Sequence, residues 1–235
     1  MYNPETGYYY LFLAYDELAV AYNTRVCRAR EITGPYYGMD GTNVTKGGNC
    51  YPVVTHPYKF NSQVAADSIS GWVGISHCGV FDDGEGNWYF TSQGRLPEGA
   101  RGNVYSNAIM HGQVRRILWT DTGWPVVLPE RYAAVPQASI TAEELVGEWE
   151  HMLLQYNYQK QCTSVKLTLK EDGSMTGAMN GRWSFDPENN ILKLGAYKLC
   201  VARELDWEAS PRKATIVYAG YSSDGKRTFW GKKIM

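Results

Sequence analysis

The sequence has 235 residues, and its 44% hydrophobic content is enough to form the core of one large or two smaller globular domains. Its 23 basic and 24 acidic residues give a net charge of −1 without long runs of either sign, which argues against a nucleic-acid-binding surface. No run of 18 apolar residues occurs, so no transmembrane helix is predicted, and the first five residues do not resemble a signal peptide.

The first third of the chain has the pattern of β-structure. An apolar strand over Gly7–Tyr15 follows a turn, and apolar and basic residues alternate over Tyr22–Arg30. This alternation places Arg25 or Arg28 where it can meet a carboxylate or a ligand, and a solvated strand edge is the alternative interpretation. A loop rich in Gly and Asn then leads to a short predicted strand over Cys50–Thr55, and Pro57–Ile69 is predicted to be a polar connection.

The segment from Trp72 to Phe90 predicts a hairpin, because an apolar run and an aromatic run flank a turn of Asp and Gly residues. His77 falls in the first predicted strand among small residues, which leave room for a ligand or metal to approach its imidazole. The alternative is a buried histidine bonded to a backbone carbonyl. A second hairpin is predicted from Met110–Thr120 and Trp124–Leu128.

The two aromatic strands that contain Tyr8–Leu11 and Trp88–Phe90 both follow an acidic turn. Short strands with recurring Gly and aromatic residues are typical of β-propeller blades, so this repeat favours a propeller. The small, Pro-containing segment Ala133–Ala142 predicts a domain boundary, and Thr141 with Glu144 predicts a capping box on a short helix.

The remainder, Gly147–Met235, is predicted to be a separate antiparallel domain, either a barrel or a sandwich. Asp172-Gly173 and Asp224-Gly225 are hairpin signals within it. Its tryptophans are interpreted either as core residues or as platforms for sugar rings: Trp149, Trp183, Trp207 and Trp230. The predicted strands are Gly147–Leu154, Ser164–Lys170, Ser174–Met179, Gly181–Phe185, Ile191–Leu194, Lys198–Glu204, Ala214–Gly220 and Arg227–Lys232.

The five cysteines are widely spaced and include no C-x-x-C pair. Their odd number predicts at least one free thiol unless two chains are bridged. The wide spacing argues against both a zinc site and a disulfide framework. A disulfide between Cys162 and Cys200 is the pairing left open.

Several segments together resemble the C-terminal half of glycoside hydrolase family 43, in particular the bacterial endo-α-1,5-L-arabinanases with an additional C-terminal β domain. The segment Leu118–Tyr132 (LWTDTGWPVVLPERY) is the longest and most specific match. The shorter matches are Tyr8–Phe12, Tyr22–Val26, Ile32–Tyr36, and His77 with the following Asp82–Gly84 and Trp88–Tyr89.

The resemblance implies an all-β chain with the last two or so blades of a five-bladed propeller over residues 1–134, a linker over 135–146 and an accessory barrel-like domain over 147–235. It implies part of an inverting hydrolase that cleaves α-1,5-arabinan with two carboxyl groups set about 6.5–9.5 Å apart. Blades of around 60 residues would leave this propeller incomplete. We therefore expect either a fragment of a longer protein or a second chain that supplies the missing blades.

None of the family's three catalytic carboxylates matches a position in this chain, so no catalytic residue is assigned and the chain alone is expected to be inactive. Glu5 is the nearest acid but lies in a turn, and Asp16, Glu17, Asp82 and Asp83 are also interpreted as turn residues. Asn23 and Arg25, within the matching segment Tyr22–Val26, are the predicted substrate-binding residues.

His77 matches the histidine that in this family reaches a calcium ion on the propeller axis, usually through water. The family commonly has Gly-His-Asn there, whereas this chain has Ser76-His77-Cys78, and calcium prefers oxygen ligands to a thiol. The resemblance also implies a plant polysaccharide as partner and a secreted, periplasmic or cell-surface location for the full-length protein. The alternatives are a non-catalytic carbohydrate-binding module and a structural role for Gly147–Met235.

Overall fold

A computed structural model describes residues 1–18, 21–61, 69–156 and 161–235, and over these residues the fold is all-β, as predicted. The exceptions are a single short α-helix, α1 (Ala142–Leu145), and a few 3-10 turns. The strands before the helix are β1 (Tyr2–Asn3), β2 (Tyr8–Tyr15), β3 (Asn23–Ala29), β4 (Val53–Thr55), β5 (Tyr58–Lys59), β6 (Gly79–Asp82), β7 (Trp88–Arg95), β8 (Met110–Trp119) and β9 (Pro125–Val127).

All of these strands except β5 form two four-stranded antiparallel sheets in which neighbours in sequence are neighbours in space. The first sheet has the order β1-β2-β3-β4, and the second sheet has the order β6-β7-β8-β9. Aromatic and β-branched residues on both sheets pack into one core, which includes Tyr10, Val26, Phe90 and Trp124. We call this the first core.

The remainder of the chain forms a closed barrel, one of the two architectures that the sequence predicts. Its closure leaves no free sheet edge, because β18 pairs with β10. The eight barrel strands correspond one to one with the eight predicted strands: β10 (Gly147–Leu154), β12 (Val165–Leu169), β13 (Ser174–Gly177), β14 (Gly181–Asp186), β15 (Ile191–Leu194), β16 (Tyr197–Asp206), β17 (Lys213–Tyr221) and β18 (Thr228–Lys233). Outside the barrel, β11 (Cys162–Thr163) pairs in parallel with β5.

The helix that precedes the barrel begins with the predicted capping box. Thr141 accepts a hydrogen bond from the backbone N–H of Glu144, and the Glu144 carboxylate accepts one from the backbone N–H of Thr141. Glu144 also binds Arg203 of β16 at 2.8 Å, so the cap ties the linker to the barrel.

Strands β10, β16, β17 and β18 are buried on both faces. On β10, Trp149 points into the barrel, whereas Met152 and Leu154 belong to the first core. Trp230 of β18 also lies in the first core, and its Nε1 donates to the carbonyl of Val127 at 2.8 Å. The barrel therefore packs directly on both sheets, and Trp149 and Trp230 are core residues that present no platform to a sugar.

The segment around His77 differs from the prediction. His77 lies in a loop before β6, is exposed and has a φ of +55°, so it is neither in a strand nor a buried histidine. Gly74 has a φ of +64°, and a Cβ there would lie 2.8 Å from the carbonyl oxygen of Leu18. The close approach of these two segments breaks the predicted strand, which begins only at Gly79.

The predicted connection Pro57–Ile69 contains β5, and its residues 62–68 lie outside the described part of the chain. The option of a Cys162–Cys200 disulfide is wrong, because all five cysteines are free. No described helix is long and apolar enough to span a bilayer.

Candidate functional site

The two predicted substrate-binding residues lie side by side on β3 and are both buried. Asn23 pairs with Tyr15 where the β2–β3 hairpin closes. The Arg25 Nε donates to the Asn23 Oδ1 at 3.0 Å, and the Asn23 Nδ2 in turn donates to Asp16 Oδ2 at 2.8 Å. The structure therefore brings Asn23 and Arg25 together beneath a third residue, Asp16.

Asp16 is a carboxylate that the sequence analysis assigned to a turn. It follows β2 with a φ of +69°, and its side chain is 25% exposed. Besides Asn23, its partners are the hydroxyl of Tyr156, which donates to Oδ1 at 3.1 Å, and Arg25, whose guanidinium lies 3.9 Å from Oδ2. An oriented carboxylate that remains partly exposed can accept hydrogen bonds from the hydroxyl groups of a ligand.

Aromatic rings surround the guanidinium of Arg25 and fix its position. It lies 4.2 Å from the ring centroid of Tyr15, 4.9 Å from that of Tyr156 and 5.4 Å from that of Tyr51. Stacking on aromatic faces immobilises a guanidinium, and the buried position prevents it from reaching bulk solvent. Arg25 is thus placed to hold Asp16, and direct substrate contact by Asn23 and Arg25 stays a prediction.

A Cys–His contact near this site does not have the properties of a nucleophilic dyad. The Cys162 Sγ lies 3.5 Å from His56 Nδ1. Burial lowers the pKa of His56 and raises the pKa of the Cys162 thiol, so both groups are held in their neutral forms. A thiol nucleophile needs the opposite displacement of its pKa, toward the thiolate.

His77 is tied to the same region of the first sheet through its neighbour, because the hydroxyls of Ser76 and Thr24 lie 2.8 Å apart. The described residues place no cluster of His, Cys or carboxylate ligands around His77. Burial raises the pKa of the adjacent Cys78 thiol, which makes it a poor ligand for calcium. Calcium takes six to eight oxygen ligands, so the described residues do not by themselves make a calcium site, and the water-mediated contact of His77 stays a prediction.

The described residues contain one group with the composition of a metal site, which consists of Glu130, Asp206 and Glu208. Lys232 already supplies a cation there, since its Nζ lies 3.0 Å from both Glu130 Oε1 and Asp206 Oδ1. The neighbouring carboxylates raise the pKa of Lys232 although burial opposes them, so the ammonium stays charged. A metal ion would have to displace this ammonium.

Two described carboxyl groups have a pKa raised to about 7, which is the property of a general acid. They are Glu130 and Glu204, and burial is the main cause for both. Glu130 is 2% exposed beside Lys232, and Glu204 is fully buried with its Oε1 3.1 Å from Arg116 Nε. Neither can reach a sugar, so these raised pKa values reflect burial at the interface of the barrel and the sheets, which the paired cations Lys232 and Arg116 only partly offset.

The chain is similar in sequence to proteins of known family. A family model described as GH43_C, a C-terminal lipocalin-like domain, matches residues 129–231. An extracellular endo-α-(1→5)-L-arabinanase of Thermotoga petrophila is 28% identical over the whole chain, and a second extracellular arabinanase, from Bacillus subtilis, is 25% identical over 99% of it. The chain spans 51% of each of these curated relatives, which is about half of their length.

Solved structures of family 43 proteins have the same fold over the whole chain. A glycoside hydrolase family 43 protein from Bacillus licheniformis superimposes on the whole chain with a TM-score of 0.82 at 26% identity, and the chain covers 54% of it. The endo-1,5-α-L-arabinanase of Thermotoga petrophila gives the same TM-score and coverage at 25% identity. The resemblance inferred from the sequence is confirmed: the chain is similar over its whole length to about half of each family 43 arabinanase, and its residues 129–231 match the family's C-terminal lipocalin-like domain.

Proposed function

We propose that this chain forms the C-terminal half of a glycoside hydrolase that cleaves α-1,5-linked arabinan, and that a preceding segment or a second chain supplies the catalytic carboxyl groups. The observation that carries the proposal is the similarity to endo-arabinanases over the whole chain, with the chain spanning half of their length. The described carboxyl groups with a raised pKa are buried in ion pairs, which supports a source of the reactive acids outside the described residues.

In this proposal, the two four-stranded sheets are two blades of a propeller. Each sheet is an antiparallel meander, which is the architecture of a blade. Asp16 binds hydroxyl groups of the substrate, and Asn23, Arg25 and Tyr156 position its carboxylate. A water-mediated calcium contact from His77 belongs to the complete enzyme, whose other segments would provide the oxygen ligands.

The barrel has a structural role in the same proposal, and its hydrogen bonds to the sheets favour this role. Thr228 donates to the carbonyl of Val53 in the first sheet at 2.6 Å, and Trp230 donates to the carbonyl of Val127 in the second sheet. The barrel thus holds both sheets through buried hydrogen bonds that a simple surface module would not make.

The test compares three purified proteins on linear α-1,5-arabinan: this chain alone, the product of the coding sequence directly upstream alone, and the two joined. Only the joined protein is expected to release reducing ends. Hydrolysis by this chain alone would show that its own residues supply the acids, and an inactive but cooperatively folded joined protein would refute arabinan cleavage.

The role of Asp16 is tested in the joined protein by Asp16→Asn. Loss of a charged hydrogen-bond acceptor for the substrate is expected to lower kcat/KM by roughly 10- to 100-fold. Glu98→Gln is the matched control, because Glu98 is an exposed acid outside this cluster and its replacement should leave kcat/KM unchanged. If both variants keep the parent kcat/KM, Asp16 has no role in substrate binding.

A further inference from the structure

A cleft of about 810 Å³ lies between the barrel and the second sheet, and none of the residues of the cluster around Asp16 lines it. Its walls come from the segment that contains Trp72, the residues that follow β7, and the β16–β17 connection with Trp207 and Arg212. The volume lies within the range of roughly 300–1,000 Å³ that is typical of small-molecule sites.

The guanidinium of Arg131 lines the cleft, and its neighbours hold it in place. Arg131 lies between two indoles, 4.9 Å from the ring centroid of Trp72 and 5.3 Å from that of Trp207. Its NH2 group donates to Glu208 Oε1 at 2.5 Å, and Trp72 Nε1 donates to the same oxygen at 3.3 Å. These contacts fix both a cation and an acceptor in the cleft before any ligand arrives.

The charges that line the cleft are predominantly positive. Its described lining residues include three arginines, Arg101, Arg131 and Arg212, and a single acid, Glu208. Arg212 stacks on Trp207 at 4.8 Å and donates to its carbonyl through Nε. None of the salt bridges among the described residues involves Arg212, so its terminal NH groups can bind an anionic group in the bidentate manner that a carboxylate favours.

His111 adds to the cleft a buried ring nitrogen that has no hydrogen-bond partner among the described residues. The ring of His111 meets Trp72 edge-on at 5.5 Å, and its Nε2 is buried without a hydrogen-bond partner in the described part of the chain. A buried polar nitrogen without a partner is unfavourable, and a ligand hydroxyl in the cleft would relieve this.

We propose that this cleft binds an oligosaccharide that contains uronic acid residues, with a sugar carboxylate on Arg212 and Arg131 and sugar hydroxyls on His111 and Glu208. The net positive charge selects an anion, whereas the Glu208 carboxylate disfavours a phosphate dianion and accepts hydrogen bonds from hydroxyl groups. A sugar acid has both features. The choice of a saccharide rests on the proposed function, but binding is measured without any hydrolysis.

The test is calorimetric titration of the full chain with trigalacturonate, arabinotriose and inorganic phosphate. Trigalacturonate is expected to bind saturably and at least 10-fold more tightly than the other two, with affinity that falls as salt rises. Arg212→Gln should weaken binding at least 10-fold, and Arg212→Lys should weaken it less. Lys198→Gln is the control, since Lys198 is an exposed cation paired with Asp121 outside the cleft and its loss should change nothing.

A second variant separates ligand binding from a structural effect. His111→Phe keeps the aromatic contact with Trp72 and removes the unpaired nitrogen, so it should raise Tm while weakening trigalacturonate binding. The absence of saturable binding, equal binding of phosphate or arabinotriose, or an unchanged affinity of Arg212→Gln would each overturn the proposal. If the joined protein cleaves arabinan but the cleft binds no sugar acid, this inference alone fails; binding without cleavage would refute only the proposed function.

Discussion

Glu130→Gln tests how buried charge at the interface of the barrel and the sheets controls the pH dependence of stability. Glu130 and Lys232 are almost completely buried, and their charged atoms lie 3.0 Å apart. Burial raises the pKa of Glu130 from 4.5 to about 7, because it outweighs the attraction of Lys232 and because Glu208 and Asp206 add repulsion. Glu130 and Asp206 share the Lys232 ammonium, and Glu208 adds a further negative charge nearby, so the more buried Glu130 retains its proton to a higher pH than an ordinary glutamate.

The direction in which stability changes with pH follows from the number of protons bound by the folded and the unfolded protein. Between pH 4.5 and about 7 the folded protein holds a proton on Glu130 that the unfolded chain has lost. The stabilisation from this group is therefore fully present below pH 4.5 and is lost as the pH rises through 7. At about 1.4 kcal/mol for each pKa unit, the loss amounts to about 3 kcal/mol. Glutamine does not titrate, so Glu130→Gln should gain about 3 kcal/mol relative to the parent protein between pH 4.5 and pH 8.

The assay is urea unfolding of both proteins at pH 5, 6, 7 and 8, with the difference in unfolding free energy plotted against pH. Titrating groups remote from this cluster are common to both proteins and cancel in this difference, so what remains reports Glu130 together with the charges beside it, Lys232, Asp206 and Glu208. Glu148→Gln is the control, because Glu148 forms a half-exposed ion pair with Lys166, and its effect should stay within about 1 kcal/mol at every pH. A difference for Glu130→Gln that is constant with pH, or one that falls as the pH rises, would refute the reasoning.

Two further predictions concern buried polar groups. Arg116→Met removes the partner of the buried Glu204 and should lower the free energy of unfolding, measured with urea, by about 3–5 kcal/mol. Lys198→Ala breaks an exposed pair and should lower it by less than about 1 kcal/mol. Similar losses for both variants would contradict the burial argument. Burial lowers the pKa of His151 to about 4, so the parent protein should lose stability from this group as pH falls from 6.5 to 4, and His151→Gln should remove that part of the pH dependence. Parallel pH profiles for the two proteins would show that His151 does not titrate in this way.

The barrel could be predicted almost strand by strand because its signals are local. Its strands are rich in β-forming residues and separated by short turns, and Asp172-Gly173 and Asp224-Gly225 lie between the paired strands β12–β13 and β17–β18. The capping box at Thr141 is equally local, since both of its hydrogen bonds join residues three apart. Short-range patterns of this kind determine structure wherever no distant contact opposes them.

The loop at His77 and the role of Asp16 could not be predicted from the sequence, because both depend on contacts between residues far apart in the chain. The apolar residues before His77 have the composition of a strand, but the approach of Leu18 to Gly74 imposes a backbone conformation that a strand does not adopt. Asp16 has the sequence context of an ordinary turn. The hydroxyl that orients it belongs to Tyr156, 140 residues later in the chain, and no local pattern predicts that contact.

The faces of the barrel strands show why its two neighbouring sheets depend on it. On β10, Met152 and Leu154 complete the first core, and Thr228 and Trp230 of β18 satisfy carbonyls of both sheets. A chain that ends at residue 146 would expose this apolar surface and leave those carbonyls without their partners, so it should aggregate or unfold without cooperativity. Size-exclusion chromatography and thermal unfolding measure this directly. A monomeric residue 1–146 protein with the cooperative transition of the full chain would show that the sheets do not need the barrel, and the structural role proposed for it would then be wrong.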